Sequence, residues 1–167
     1  MSQQLTSSGA ATFRRLLTRP GAFRLFLLRK LPLAWLAGIR LRRLDPDAAT
    51  VTIRHRWLNQ NPFRSLYFGA QAMAAEMSTG LLVMQHTWER QPGVSMLVTG
   101  MQAEFSRKAT GRITFTCLDG PALRAAVEAT IGTGEGQTVE ATSSGTDEGG
   151  AVVARFTFRW AVKRRSS

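Results

Sequence analysis

The stretch NPFRSLYFGAQAMAAEMSTGLLVM, Asn61–Met84, joins a turn signal to a long apolar run and places one acid inside that run. From Ser65 to about Met84 the residues are mostly Ala, Met, Leu and Gln, with no proline and few β-branched positions. That composition predicts one long helix. Asn61 before Pro62 suits a turn or cap. The acid, Glu76, is the anomaly. A carboxylate on an apolar helix costs on the order of several kcal/mol of desolvation unless it is paired, hydrogen-bonded or protonated. Glu76 is therefore either a structural partner, at a helix edge or facing an arginine of another chain, or a functional group.

Working outward, the periodicity changes from helical to alternating. Ile39–Leu44 alternates, Asp45-Pro46-Asp47 is a turn, and Thr50–Trp57 alternates again, which predicts an antiparallel pair. Val94–Arg107 and Arg112–Leu118, separated by Lys108–Gly111, read as a second hairpin. A short helix follows, with Gly120 as its cap, Pro121 at its first position, Arg124 and Glu128 paired four apart, and Gly132 at its left-handed stop. Thr138–Ser144 and Ala151–Lys163 form the last two strands around Asp147–Gly150. Six antiparallel strands and one long apolar helix predict an α+β domain whose sheet wraps that helix.

The chain has 167 residues, enough for one domain with a sizeable core. Its net charge of +11 is unevenly spread. Residues 1–43 hold nine Arg or Lys and no acid, whereas residues 44–167 hold thirteen basic and eleven acidic residues. Three regions are expected: a disordered tail over 1–12, a basic amphipathic segment over 13–37, and the main domain over 38–165. The segment reads as two short helices broken at Arg19-Pro20-Gly21, with Phe13, Leu16 and Leu17, then Phe23, Phe26 and Leu27, at helical spacing. Two readings stay open for it: packing on the body with a solvated basic face, or peripheral contact with a membrane. No helix-turn-helix, zinc-ligand spacing or aromatic-basic RNA signature occurs, so no nucleic-acid partner is expected. The polar start lacks secretory character, and the single cysteine, Cys117, fits a reducing compartment, so a cytoplasmic location is expected. His55 and His86 have no partners at metal spacing, and no metal site is expected.

The residues around Glu76 and the order of strands together resemble the hot-dog-fold thioesterase superfamily, most closely a poorly characterised, thioesterase-like branch of unknown function. In its signature an Asn stands six residues before a His-Gly-Gly, with an acid nine residues after the His. Asn61, Tyr67-Phe68-Gly69 and Glu76 fall on those positions without a gap, Tyr67 and Phe68 replacing the His and the first Gly. The resemblance implies an acyl-CoA thioesterase-like hydrolase. The thioester carbonyl would lie at the helix N-terminus, near the N–H groups of Gly69 and Ala70. Glu76 would act as general base toward water or as the attacking carboxylate, with Thr79 one turn on orienting it and Asn61 holding the loop or the carbonyl. Tyr67, Gln71 and Met73 would line the acyl site. Arg107 and Lys108, with Arg64 as a further choice, would meet the phosphates of coenzyme A, which enters as part of the substrate; no separate cofactor is implied. The family further implies a homodimer or dimer of dimers, each site drawing on both chains. The missing His and Gly keep a second reading open, a non-catalytic acyl- or lipid-binding module.

Overall fold

The computed structural model describes residues 2–165, with side chains from residue 9 onward. Three helices lead the chain: α1 (Ser2–Thr18), α2 (Ala22–Lys30) and α3 (Pro32–Ala37). There follow β1 (Arg40–Leu44), β2 (Ala49–Arg54), a 3-10 turn at Trp57–Asn59, α4 (Phe68–Thr87), β3 (Val94–Phe105), β4 (Arg112–Cys117), α5 (Gly120–Thr133), β5 (Gln137–Thr146) and β6 (Val152–Arg164). The strands make one antiparallel sheet in the order β1-β2-β4-β5-β6-β3.

α4 is the axis of the fold. Ala74, Ala75, Leu81, Leu82 and Val83 are fully buried on it. Its small residues Ala70, Ala74, Ala75 and Ser78 bring the helix close to the sheet, and the Ser78 hydroxyl meets that of Ser143 on β5 at 2.8 Å. The sheet answers with Ile53, Phe115, Phe156, Phe158 and Trp160, all buried. β6 alternates Phe156, Phe158, Trp160 and Val162 inward against exposed Arg155 and Arg159, as its pattern predicts. Val152 and Val153 depart from that parity: Val153 is buried and Val152 exposed, because the pairing register of β5 with β6 shifts at Gly145/Thr146.

The N-terminal region differs from its expectation. The disordered tail expected over 1–12 is helical from Ser2, with Met1 outside the described residues, and Ala10 and Phe13 are buried. Phe13 packs on Trp88 beyond α4, ring centroids 5.2 Å apart. A tertiary contact, rather than the weak propensity of a Ser- and Gly-containing stretch, holds this helix. There are three helices instead of two, since Pro32 opens α3 at the position where its missing N–H costs nothing.

The expected hairpin of β3 with β4 does not form. β3 pairs with β6 at one end of the sheet and β4 lies between β2 and β5. Alternating hydrophobicity fixes which face a strand buries and leaves its neighbour undecided. The connection over 106–111 instead crosses the end of the sheet: Ser106 N–H donates to Val153 O at 2.9 Å, Leu66 N–H to Ala109 O at 2.8 Å, and His55 N–H to Gly111 O at 2.7 Å. This crossover brings Arg107 and Lys108 against the loop that holds Asn61. At α5, Asp119 occupies the cap position, Gly134 rather than Gly132 takes the left-handed stop at φ 80°, and Arg124 and Glu128 face Asp47 and Arg90 rather than each other.

Candidate active site

The loop before α4 is built by Asn61. Its Oδ1 accepts from the N–H groups of Phe63 (3.0 Å) and Ser65 (3.2 Å), and its Nδ2 donates to Ser65 Oγ at 3.0 Å. Its own N–H donates to Ser65 O at 2.8 Å, and Arg64 is carried into the left-handed region at φ 57°. An asparagine side chain that mimics a backbone turn does this in one residue. Asn61 therefore shapes the loop, the first of its two expected roles. The preceding Asn59 is the more buried asparagine. Its Nδ2 donates to Ala37 O and Arg54 O and its Oδ1 accepts from Arg56 N–H, tying α3 to the end of β2.

At the start of α4, Tyr67 O accepts from Ala70 N–H at 3.0 Å and Gln71 N–H at 3.1 Å. The Ala70 amide expected to face a substrate is thus engaged. Among the described residues, the N–H groups of Phe68 and Gly69 have no hydrogen-bond partner, and these are the outward donors of the helix terminus. Gly69 leaves room for its neighbour: a Cβ on it would stand 2.7 Å from Cε1 of Tyr67 and would turn that exposed ring aside. The Tyr67 ring lies against the glycine and packs on Phe68 with centroids 4.7 Å apart. The positions that resemble His-Gly are thus occupied by an aromatic pair over the helix terminus.

A cleft of about 470 Å³ opens at this terminus. It brings together Asn61, Tyr67, Gln71, Arg107 and Lys108 from the sequence expectations, and adds Phe68, Ser65 and Phe105. Gln71 is buried; its Nε2 donates to Leu66 O at 3.0 Å while its Oε1 has no partner, leaving one acceptor in the cleft wall. Arg64 and Met73 do not line the cleft. Arg64 is exposed in its turn, and Met73 packs against the core.

Glu76 does not line this cleft either. Eight residues of helix separate it from Phe68, about 12 Å along the axis. Its side chain is half-buried and, among the described residues, makes no ion pair or side-chain hydrogen bond. Burial raises its pKa to about 7. Its neighbours explain the isolation. A Cβ on Gly80 would stand 3.0 Å from Glu76 Oε1 and 3.3 Å from the Trp160 ring, so the carboxylate and the indole share the space that glycine leaves. Trp160 Nε1 donates to Thr79 Oγ1 at 3.1 Å, and Thr79 donates to the carbonyl of Glu76 at 3.0 Å. The Thr79 hydroxyl is buried and spent on the indole and main chain; it fixes the helix turn that carries Glu76. Ser78 is likewise spent, on Ala75 O and Ser143. Trp160 and Gly80 are the residues the sequence reading passed over. A glycine inside an otherwise strong helix was their one visible signal.

No three His, Cys, Asp or Glu side chains gather in a metal-binding group among the described residues. No helix of the described residues is long and apolar enough to cross a membrane.

A six-stranded antiparallel sheet around a long central helix is the hot-dog fold. Solved structures agree on the fold. A Pseudomonas aeruginosa protein of unknown function, termed a "probable thioesterase", superposes with a TM-score of 0.73 at 23% identity over 87% of this chain and 97% of its own. A Chlorobaculum tepidum protein of unknown function gives 0.71 at 18% identity over 85% and 92% of the two chains. A Haemophilus influenzae thioesterase gives 0.66 at 13% identity over 86% and 89%. No curated protein sequence matches the chain. The chain belongs to the family described as Domain of unknown function (DUF4442), whose model matches residues 20–162.

Proposed function

We propose that this protein hydrolyses an acyl thioester, with Glu76 as general base. The observation that carries the reading is Glu76 itself: an unpaired helix carboxylate against an indole, with its pKa raised to about 7, where a base is half-ionised at neutral pH. Water attacks the thioester carbonyl carbon and its proton passes to the Glu76 carboxylate. Because Glu76 and the terminus of its own helix lie about 12 Å apart, the negative charge that develops on the carbonyl oxygen is met by the Phe68 and Gly69 N–H groups and helix dipole of a second copy of the chain. Collapse of the intermediate breaks the C–S bond, and the Glu76 proton passes to the departing thiolate.

A coenzyme A thioester suits the cleft, since Arg107 and Lys108 line the same opening as Phe68 at the helix terminus and provide cations for its phosphates. The separation of Glu76 from the cleft within one chain supports a homodimer in which a site uses both copies. β3 supports it too: it is a twelve-residue strand at the sheet edge with Leu97, Met101 and Phe105 exposed.

The second reading, an acyl-binding module without turnover, is favoured by one observation, the Tyr67–Phe68 pair packed over the helix terminus. One experiment separates them: thiol release from short, long and aromatic acyl-CoA thioesters by wild type and Glu76→Gln. Turnover in the wild type and its loss by about a hundredfold or more in the variant supports the hydrolase. Acyl-CoA bound by both without turnover supports the module, and full activity in a folded Glu76→Gln protein refutes the mechanism.

A further inference from the structure

We infer that α2 and α3, with the arginine-lined cleft beside them, form a docking surface for an anionic phospholipid bilayer. This goes beyond the hydrolase reading and does not depend on it. α2 buries Phe23 and Leu27 on the body, and on its opposite side Leu25 and Leu28 stand exposed three residues apart. α3 repeats the arrangement: Ala34 and Ala37 are buried, Leu33 and Leu36 exposed. With Leu31 at the junction, five leucines between 39% and 65% exposed lie within residues 25–36. Leucines scattered singly on a surface are ordinary. Five on two adjoining helices, flanked by exposed Arg29 and Lys30, have the composition of an interfacial segment.

The charge around them is of one sign. Of the nine Arg and Lys in residues 1–43, only Arg43 has a carboxylate ion-pair partner among the described residues, Asp45. A cleft of about 250 Å³ between the α1–α2 elbow and β1 is lined by Arg19, Arg24, Arg40 and Arg42, with Phe23 and Leu41 as its apolar wall. Two of these guanidinium groups are held by neutral partners. Arg24 donates to Trp35 O at 2.9 Å and stacks 4.6 Å above the Trp35 ring, and Arg42 donates to Thr52 Oγ1 at 3.0 Å. The partners fix position and leave the charge uncompensated. Burial lowers the pKa of Arg24, and the nearby charges of Arg40 and Arg56 lower it further. An anion entering the cleft relieves that repulsion.

Fixed cations beside exposed leucines match the layering of a lipid surface, phosphate headgroups above acyl chains. A nucleic acid satisfies the arginines and leaves the leucines in water. A second copy on the same face sets one acid-free basic segment against another. The bilayer satisfies both sets of side chains.

The test is co-sedimentation of the full chain with vesicles of phosphatidylcholine and with vesicles of phosphatidylcholine plus phosphatidylglycerol. Expected is binding at least tenfold tighter to the anionic vesicles, weakening with added salt and unaffected by millimolar inorganic phosphate. Replacing Leu25, Leu28, Leu33 and Leu36 together by Gln lowers that binding at least tenfold. Arg19→Gln with Arg40→Gln, removing two cations at roughly fivefold each, lowers it about twenty-five-fold. Far-UV circular dichroism confirms that both variants remain folded. The inference is overturned if wild type ignores the anionic vesicles, if the leucine variant binds them as well as wild type, or if phosphate alone competes. It is also overturned if the leucine variant changes the mass measured by light scattering while keeping its vesicle binding, since the leucines then face a second copy.

Discussion

Glu76→Gln is expected to stabilise the protein while removing its activity. A carboxyl titrating at about 7 in the fold, against an ordinary value of 4.5, corresponds to at most about 3 kcal/mol between its charged and neutral forms. Partial exposure of the side chain screens this to about 2 kcal/mol. The sign follows from the direction of the shift. The folded state holds the proton more tightly than the unfolded chain, so the group's favourable contribution is complete below pH 4.5. It is lost as pH rises from there through about 7, as the unfolded chain ionises first. Glutamine has nearly the same shape and no charge. The variant should therefore match wild type near pH 4 and exceed it by about 2 kcal/mol at pH 8, an increase of about 4–8 °C in Tm for a chain of this length. Thermal unfolding of both proteins at intervals from pH 4 to pH 9 reads the difference directly. A difference that does not change with pH, or a wild type more stable than the variant at pH 8, would refute the argument that Glu76 is a desolvated and unpaired carboxylate.

Three further outcomes test the neighbours of Glu76 and the cleft. Gly80→Ala puts a methyl group 3.0 Å from Glu76 Oε1 and 3.3 Å from Trp160; kcat should fall about tenfold and the acidic limb of the pH profile should move, while a helix-propensity gain of about 1 kcal/mol offsets crowding and leaves Tm within a few degrees. Asn61→Ala removes the acceptor of Phe63 and Ser65 N–H and should cost about 2 kcal/mol in urea unfolding while raising KM for acyl-CoA. Arg107→Gln with Lys108→Gln should raise KM for acyl-CoA about tenfold in low salt, and leave KM for acyl-pantetheine thioesters, which carry no phosphate, unchanged.

The sequence by itself determined the central helix, expected over 65–84 and found at Phe68–Thr87, the alternation of the strands and the isolation of one acid, because each is a local pattern with a local physical cause. Composition sets helix propensity, period two sets which face of a strand is buried, and an acid in an apolar run is visible without coordinates. Asn61 was legible for the same reason, since its turn spans only a few residues. Only the tertiary structure decided which strands are neighbours. β3 and β4 carry the same alternation whether they pair with each other or, as here, lie three strands apart, and the crossover between them is what carries Arg107 and Lys108 to the loop of Asn61. The helix expected to begin near Phe13 starts at Ser2, and it is anchored where Phe13 meets Trp88, 75 positions away in the chain. Thr79 and Glu76 share a helix face in sequence, yet the hydroxyl is taken by Trp160, 81 positions away. Burial raises the pKa of Glu76, and that indole shares with the carboxylate the space left by Gly80. Long-range packing creates that environment, and its one trace near the acid in sequence is Gly80, a glycine inside a strong helix.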